Sequence, residues 1–165
     1  MTLVVLVGGA RSGKSRLAVE RALAAGTPVT FIATGEAGDE EMAERIERHR
    51  AERPTGWMTV EEPVELARAL KAVADGDAAI VDCLSLWVAN LGGNGVEAAS
   101  AEAVRVAAAR DGLTIAVTNE VGLGIVPANA LARAYRDELG RVNAQWVAAA
   151  DEAWLVVAGR KLRLE

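Results

Sequence analysis

Residues 8–15 carry side chains with the spacing needed to hold phosphate groups. They read Gly-Gly-Ala-Arg-Ser-Gly-Lys-Ser and fit the pattern G-x-x-x-x-G-K-[ST]. Glycines let the backbone curl so that successive N–H groups point at phosphate oxygens, and a following helix adds the partial positive charge of its N-terminus. In such a loop Lys14 reaches the β- and γ-phosphate oxygens, and the Ser15 hydroxyl can ligate Mg²⁺. The stretch therefore predicts a nucleoside triphosphate site.

Asp82 is the predicted acidic partner of this loop. It ends the apolar run Ala-Ala-Ile-Val at 78–81. A carboxylate at a strand end, close to a phosphate loop, is typical of the Walker B acid that supports Mg²⁺. The same aspartate could instead cap the N-terminus of a following helix. The phosphate loop favours the metal-supporting role.

His49 is the only histidine, and it lies in the charged segment 39–54. Helical spacing places Ile46, His49 and Arg53 on one face. One interpretation is an amphipathic helix whose histidine packs at the edge of the core. The other is chemical: a neutral imidazole nitrogen attacks an α-phosphate while Arg50 and Arg53 offset the charge of the triphosphate. The spacing alone leaves both open.

Strands that alternate with helices must position these residues. Continuous apolar, β-branched runs predict strands buried on both faces at 3–7, 29–33, 78–83, 113–119 and 153–158. Helical patterns occur between them at about 14–25, 39–53, 63–74, 97–110 and 128–150. This alternation predicts an α/β fold with a mainly parallel sheet. Residues 160–164, after Gly159, are expected to return as an antiparallel edge strand.

Asn119 and Glu120 follow the predicted strand that begins at 113, within Thr-Asn-Glu-Val-Gly-Leu-Gly-Ile-Val-Pro. Open α/β sheets bind ligands at the carboxyl ends of their strands, so both side chains could touch substrate or metal. They could equally brace the loop, with Gly122 and Gly124 forming turns. Both interpretations stay open.

The composition indicates one globular domain spanning residues 1–165, with 52% hydrophobic and 25% charged residues. The net charge of −5 argues against a nucleic-acid partner, whose phosphates would be repelled. A single cysteine, Cys83, cannot form an internal disulfide, and this favours a reducing cytoplasmic location. We expect no signal peptide and no membrane span, because no apolar run approaches about 20 residues.

A phosphate loop serves small-molecule kinases, GTPase switches and ATP-driven machines alike. The sequence lacks the Asn-Lys-x-Asp stretch that recognises guanine in GTPase switches. A chain of 165 residues also leaves little room for the extra domains of a mechanical ATPase. These observations favour a small-molecule transferase.

Four stretches together resemble one family. They are GGARSGKS, IATGEAGDEEMAERIERHRAERP, VTNEVGLGIVP and GRVNAQWVAAADEAWLVVAG, and they span most of residues 2–160. In this order they resemble the bifunctional adenosylcobinamide kinase / adenosylcobinamide-phosphate guanylyltransferases of cobalamin synthesis. The resemblance implies a RecA-like P-loop NTPase fold. It also implies phosphorylation of adenosylcobinamide, then transfer of GMP from GTP to the product through a guanylyl-histidine, releasing pyrophosphate.

The resemblance also implies roles for individual residues. The family string H-[RK]-x-x-R-P falls on residues 49–54 and makes His49 the nucleophile, with Lys14 as the second catalytic residue. Mg²⁺ is expected on Ser15 and Asp82, with Glu61 preferred over Glu62 as a nucleotide contact. The implied nucleotide-binding residues are Gly8, Gly9, Ala10, Arg11, Ser12, Gly13, Lys14, Ser15, Arg16, Ala33, Thr34, Gly35, Arg50, Ala51, Glu52, Arg53, Glu61 and Asp82.

The implied substrates are GTP and ATP as nucleotides, with adenosylcobinamide and its phosphate as acceptors. Family members can assemble as homotrimers, so a homo-oligomer is allowed by the resemblance. Two alternatives stay open on the residues alone. A single-activity P-loop small-molecule kinase would lack guanylyl transfer, and a non-enzymatic nucleotide-binding regulatory module would give His49 no chemical task.

Overall fold

The computed structural model describes residues 1–38, 40–51, 53–93 and 95–165, and at 41, 42 and 45 the backbone alone. The strands of this part of the chain are β1 (Thr2–Gly8), β2 (Val29–Ala33), β3 (Met58–Glu61), β4 (Ala78–Asp82), β5 (Leu113–Asn119), β6 (Glu152–Val157) and β7 (Arg160–Leu164). Its helices are α1 (Lys14–Ala25), α2 (Glu40–Ala51), α3 (Leu66–Ala72), α4 (Leu84–Leu91), α5 (Val96–Ala109) and α6 (Ala130–Ala149). None of these helices is long and apolar enough to cross a membrane.

A single sheet joins the seven described strands in the order β3-β2-β4-β5-β1-β6-β7. Every pairing is parallel except that of β6 with β7, which confirms the predicted antiparallel edge strand. The pairs Gly8↔Asn119, Asp82↔Val117 and Ala33↔Asp82 are in register. The carboxyl ends of β1, β2, β4 and β5 therefore meet at one edge of the sheet.

Hydrophobic clusters cover both faces of the sheet, as the continuous apolar strands predict. Along β1, Leu3, Val5 and Val7 join the cluster that contains Trp87 and Trp146. Val4 and Leu6 point the other way and join the cluster that contains Phe31 and the buried side of α1. With both faces packed, the carboxyl edge of the strands is left to bind ligands.

One predicted helix boundary is wrong, and one of the two roles considered for Asp82 is not the observed one. The helix expected from 63 begins at Leu66, because the Glu62 carboxylate accepts hydrogen bonds from the backbone of Val64 and Glu65 and holds the chain in a turn. Asp82 does not cap α4, since Cys83 holds the N-cap position and makes no side-chain cap there. The Asp82 carboxylate is therefore available for other contacts at the carboxyl end of β4.

Candidate active site

The phosphate loop runs from the end of β1 at Gly8 to the start of α1 at Lys14. Gly13 has φ 101°, a conformation that favours glycine. A Cβ on Gly8 would lie 2.3 Å from the carbonyl oxygen of Val156 on β6. The N–H of Gly159, in the turn between β6 and β7, donates to the Ser12 carbonyl at 2.8 Å. The loop is therefore held against the rest of the sheet by backbone contacts.

Lys14 is buried, and its ammonium group lies inside the loop. Its Nζ donates to the carbonyl oxygens of Gly8 at 2.8 Å and Gly9 at 2.7 Å, and it lies 3.4 Å from Ser12 Oγ. These contacts keep a positive charge where the loop can receive phosphate oxygens. Phosphate oxygens can replace the carbonyl partners without the charge moving far.

The Asp82 carboxyl is partly buried at the carboxyl end of β4 and accepts a hydrogen bond from Ser15. Burial raises its pKa, while the charges of His49, Arg53 and Lys14 and the hydrogen bond from Ser15 act to lower it. A carboxylate and a hydroxyl are the oxygen donors that Mg²⁺ prefers. Among the described residues no group of three or more His, Cys, Asp or Glu side chains is placed to hold a metal ion, so a cation here needs phosphate and water as its other ligands. Asp82 and Ser15 fit that kind of site.

His49 lies in the last turn of α2 and is partly buried. It lines a cavity of about 360 Å³ together with the phosphate loop and Asp82. Ile46 and Arg53 line the same cavity, so the predicted helix face is turned towards the nucleotide site. Of the two interpretations of the spacing, the arrangement favours the chemical one.

Arg53 adds a second cation, besides Lys14, to the lining of this cavity. Its guanidinium carbon lies 3.9 Å from the centroid of the Phe31 ring, and Nη1 donates to Thr59 Oγ1 at 3.2 Å. Its Nε is buried and has no hydrogen-bond partner among the described residues. Burial lowers the pKa of Arg53, whereas the charge of Asp82 raises it. A buried donor without a partner is costly, and a phosphate oxygen in the cavity would relieve that cost.

The structure brings most of the predicted site residues to this cavity. Those lining it are Ala10, Arg11, Ser12, Gly13, Lys14, Ser15, Arg16, Ala33, Gly35, His49, Arg53 and Asp82. Six predicted residues lie outside its lining: Gly8, Gly9, Thr34, Arg50, Ala51 and Glu61. Glu52 falls outside the described residues.

Thr34 and Arg50, which lie outside the lining, make other contacts. Thr34 is buried, and its Oγ1 donates to the Cys83 carbonyl at 2.8 Å and accepts from the Cys83 N–H at 2.9 Å. It therefore braces the end of β4 that carries Asp82. Arg50 is exposed and pairs with Glu47 and with Glu61 at the end of β3. Nucleotide contacts by Arg50 and Glu61 stay predictions.

Sequence reasoning missed several apolar residues of the cavity. They are Phe31, Cys83, Leu86 and Val117. Asn119 also lines the cavity, whereas the Glu120 carboxylate accepts from the Gly122 N–H and braces its own loop. An apolar residue at a strand end carries no signal that separates a cavity wall from ordinary core, and only the sheet order reveals these positions.

The parallel sheet, the phosphate loop at its edge and the strand-end aspartate define a P-loop nucleotide-binding protein. The fold is similar to solved structures of P-loop proteins. The flagellar accessory protein FlaH from Methanocaldococcus jannaschii aligns with TM-score 0.53 and 15% identity, over 97% of this chain and 74% of that one. The RadB recombinase aligns with TM-score 0.54 and 18% identity, over 93% and 73%. These likenesses confirm the predicted RecA-like fold and concern the fold alone.

Residues 4–164 match the family described as "Cobinamide kinase / cobinamide phosphate guanyltransferase". The chain belongs to this family, and it is a nucleotide-dependent kinase and guanylyltransferase. The bifunctional adenosylcobalamin biosynthesis protein CobP of Pseudomonas aeruginosa is 40% identical, covering 98% of this chain and 96% of the relative. The protein CobU of Escherichia coli K12 is also 40% identical, over 99% of both. The predicted resemblance and the two activities are confirmed.

Proposed function

We propose that His49 carries the guanylyl group as a covalent intermediate while the enzyme converts cobinamide phosphate to its guanylylated product in cobalamin biosynthesis. The supporting observation is that His49 lines the same cavity as the phosphate loop and Asp82. A nucleotide bound to that loop would place its phosphates in the cavity that His49 lines. Residues 1–165 act as one domain in this proposal.

The kinase reaction uses the phosphate loop without a covalent intermediate. The hydroxyl of adenosylcobinamide attacks the γ-phosphorus of ATP or GTP, the new O–P bond forms, the bond to the nucleoside diphosphate breaks, and the hydroxyl proton passes to water. The loop N–H groups and the Lys14 ammonium stabilise the charge that develops on the phosphoryl oxygens. His49 has no bond to make or break in this reaction.

The guanylyl reaction proceeds in two displacements at the α-phosphorus of GTP. An unprotonated nitrogen of His49 attacks this phosphorus, and the bond to pyrophosphate breaks. A phosphate oxygen of adenosylcobinamide phosphate then attacks the same phosphorus, the P–N bond breaks, and the imidazole is restored. Lys14 and the Arg53 guanidinium offset the negative charge of the phosphates throughout.

Mg²⁺ would be held by the Ser15 hydroxyl and the Asp82 carboxylate, and it would supply positive charge to the phosphate oxygens. Ser15 and Asp82 are adjacent, because the hydroxyl donates to the carboxylate. A homotrimer, a cytoplasmic location and the absence of a nucleic-acid partner stay predictions.

The test is to incubate the protein with GTP labelled at the α-phosphate and Mg²⁺, denature it, and measure the label that stays on protein. We expect one guanylyl group per chain, labile in acid and stable in base. His49→Ala should remove it, whereas Arg48→Ala, one position away on an exposed side chain, should retain it. Label that persists in His49→Ala would refute the histidine intermediate.

A further inference from the structure

Residues 121–126, here called the rim loop, expose an unusual run of apolar side chains between β5 and α6. The sequence is Val-Gly-Leu-Gly-Ile-Val. Leu123 is 85% exposed, Ile125 97% and Val126 62%. Adjacent exposed apolar side chains of this kind mark a surface that another molecule covers. The occupant has to be argued from what lies around the loop.

Other exposed apolar residues of the described chain are scattered. They are Met1, Leu23, Met58, Val64, Leu131, Val157 and Leu162. Except for Leu131, which lies in the first turn of α6 close to the rim loop, they lie in different helices, strands and connecting segments. The rim loop is therefore the concentrated apolar surface of the described residues.

The rim loop leaves the sheet beside the phosphate loop. Asn119, the last residue of β5, lines the nucleotide cavity and is in register with Gly8. The Glu120 N–H donates to the Gly8 carbonyl at 3.0 Å. The apolar run thus begins two residues from the cavity wall, and a molecule that covers it also faces the cavity.

The backbone around the rim loop is held by its own polar contacts. The Glu120 carboxylate accepts from the Gly122 N–H. Arg133 Nη1 donates to the carbonyls of Pro127 at 2.9 Å and Ala128 at 2.7 Å, and Asn129 caps α6. These contacts fix both ends of the loop without burying Leu123 or Ile125. The apolar side chains are thereby presented to a ligand by a partly ordered backbone, which lowers the entropy lost on binding.

The size of the cavity decides which substrate the rim loop can meet. About 360 Å³ suits one nucleotide-sized ligand, so the much larger macrocycle of cobinamide has to lie outside it. Only the arm that ends in the reacting hydroxyl or phosphate has to reach the phosphate loop. The macrocycle carries many methyl and methylene groups, and an apolar surface at the cavity mouth could bury them.

We propose that the rim loop is the corrinoid-binding surface, with Leu123, Ile125 and Val126 packed against the methyl-bearing macrocycle of cobinamide. The polar arm of the substrate then enters the cavity past Asn119. This proposal rests on the family's activity towards cobinamide and is independent of the histidine intermediate.

The test uses the full chain with the double substitution Leu123→Ser and Ile125→Ser. We expect the KM for adenosylcobinamide in the kinase reaction to rise at least about tenfold, which is about 1.4 kcal/mol of lost binding. The KM for the nucleotide and the kcat should stay close to those of the unsubstituted protein, because the phosphate loop is untouched. Equilibrium dialysis of cobinamide without nucleotide should show the same loss of affinity, and this readout does not depend on either chemical step.

The matched control is Leu23→Ser with Leu162→Ser, which removes two exposed leucines from α1 and β7. It should leave cobinamide affinity unchanged, whereas Leu123→Met with Ile125→Met should preserve affinity by keeping the surface apolar. Unchanged affinity in the serine variant would overturn the proposal. If light scattering then shows a smaller assembly, the rim loop is a contact between copies of the chain instead.

Discussion

Two helices of equal length border the candidate active site, and the protein holds them in different ways. α1 and α2 each have 12 residues. Lys14, Ala18 and Ala22 of α1 are buried, and the two alanines join the core cluster on one face of the sheet. None of the described side chains of α2 is fully buried, and the ion pairs of Arg50 with Glu47 and Glu61 are exposed. Exposed pairs of that kind contribute little to stability.

The difference separates two tasks. The phosphate loop and α1 present a fixed arrangement of hydrogen-bond donors. Both reactions require this arrangement, because both use a triphosphate that the loop binds. α2 presents one nucleophile, which the proposed mechanism uses in only one reaction. The comparison therefore predicts that substitutions in the loop lower both activities and that the key substitution in α2 separates them.

The largest effect is expected for His49→Ala. Loss of the nucleophile should lower guanylyl transfer by at least about 10⁴-fold and leave phosphorylation of adenosylcobinamide measurable. Lys14→Ala should instead lower both activities by about 10²–10³-fold, because its ammonium serves both transition states. The two rates are measured separately by the formation of adenosylcobinamide phosphate and the release of pyrophosphate. Equal losses of both rates in His49→Ala would remove the distinction between the regions.

Asp82→Asn should raise the stability of the protein and lower both activities. The pKa of Asp82 is raised by burial, so the folded protein binds this proton more tightly than the unfolded chain. The free energy of unfolding then falls as pH rises from the unfolded carboxyl pKa through the folded pKa of Asp82. Asparagine does not ionise, so the variant does not lose stability in this way as pH rises. The nucleotide-free variant should be more stable than the parent at neutral pH, yet lose about 100-fold in both activities.

Urea unfolding at neutral and at acidic pH tests whether Asp82→Asn raises the free energy of unfolding. The stability difference should shrink in acid, where the parent carboxyl is protonated in both states. An Asp82→Asn variant that is less stable at neutral pH would show that the charges of His49, Arg53 and Lys14 outweigh the cost of burial.

Gly8→Ala should show how tightly the phosphate loop is packed. Its Cβ would lie 2.3 Å from the Val156 carbonyl oxygen and 3.0 Å from Ser12 Oγ, so β1 or β6 has to shift. We expect the free energy of unfolding to fall by about 2 kcal/mol. Gly9→Ala is the matched control, because its Cβ meets nothing within 4 Å. If both variants have the same urea midpoint, the close approach at Gly8 has no energetic weight.

The sequence predicted the phosphate loop and the strands around it well, and the apolar lining of the cavity less well. The phosphate loop, Asp82 and the strands that carry them follow from local chemistry and continuous apolar runs, and the sheet edge brings them together as expected. α4 was missed because its eight residues continue the apolar run of β4, and two turns are too short to show a helical period. Apolar runs alone do not predict β3, since its four largely exposed residues carry little apolar signal.

Leu86 illustrates the limit for the site. It lies on the missed helix α4 and packs close to Gly35, where an added Cβ would be 3.2 Å from its Cδ1. Its place in the cavity depends on β2 and β4 being neighbours, which is a property of the sheet order. Local patterns do not contain that information, whereas they do contain the phosphate loop.

The smallest predicted effect concerns α2 itself and is read by amide hydrogen exchange. In the absence of nucleotide, amides of residues 46–51 in α2 should exchange at least about tenfold faster than those of residues 18–23 in α1, because none of the described side chains of α2 is fully buried to oppose local opening. GTP should slow exchange in α2, since a guanylyl group on His49 would tie the helix to the loop-bound phosphates. His49→Ala should show a smaller slowing at the same GTP concentration, while α1 responds alike in both proteins. Equal protection of the two helices before nucleotide is added would show that α2 is held as firmly as α1, and the exposed ion pairs of Arg50 would then need a larger role than their exposure indicates.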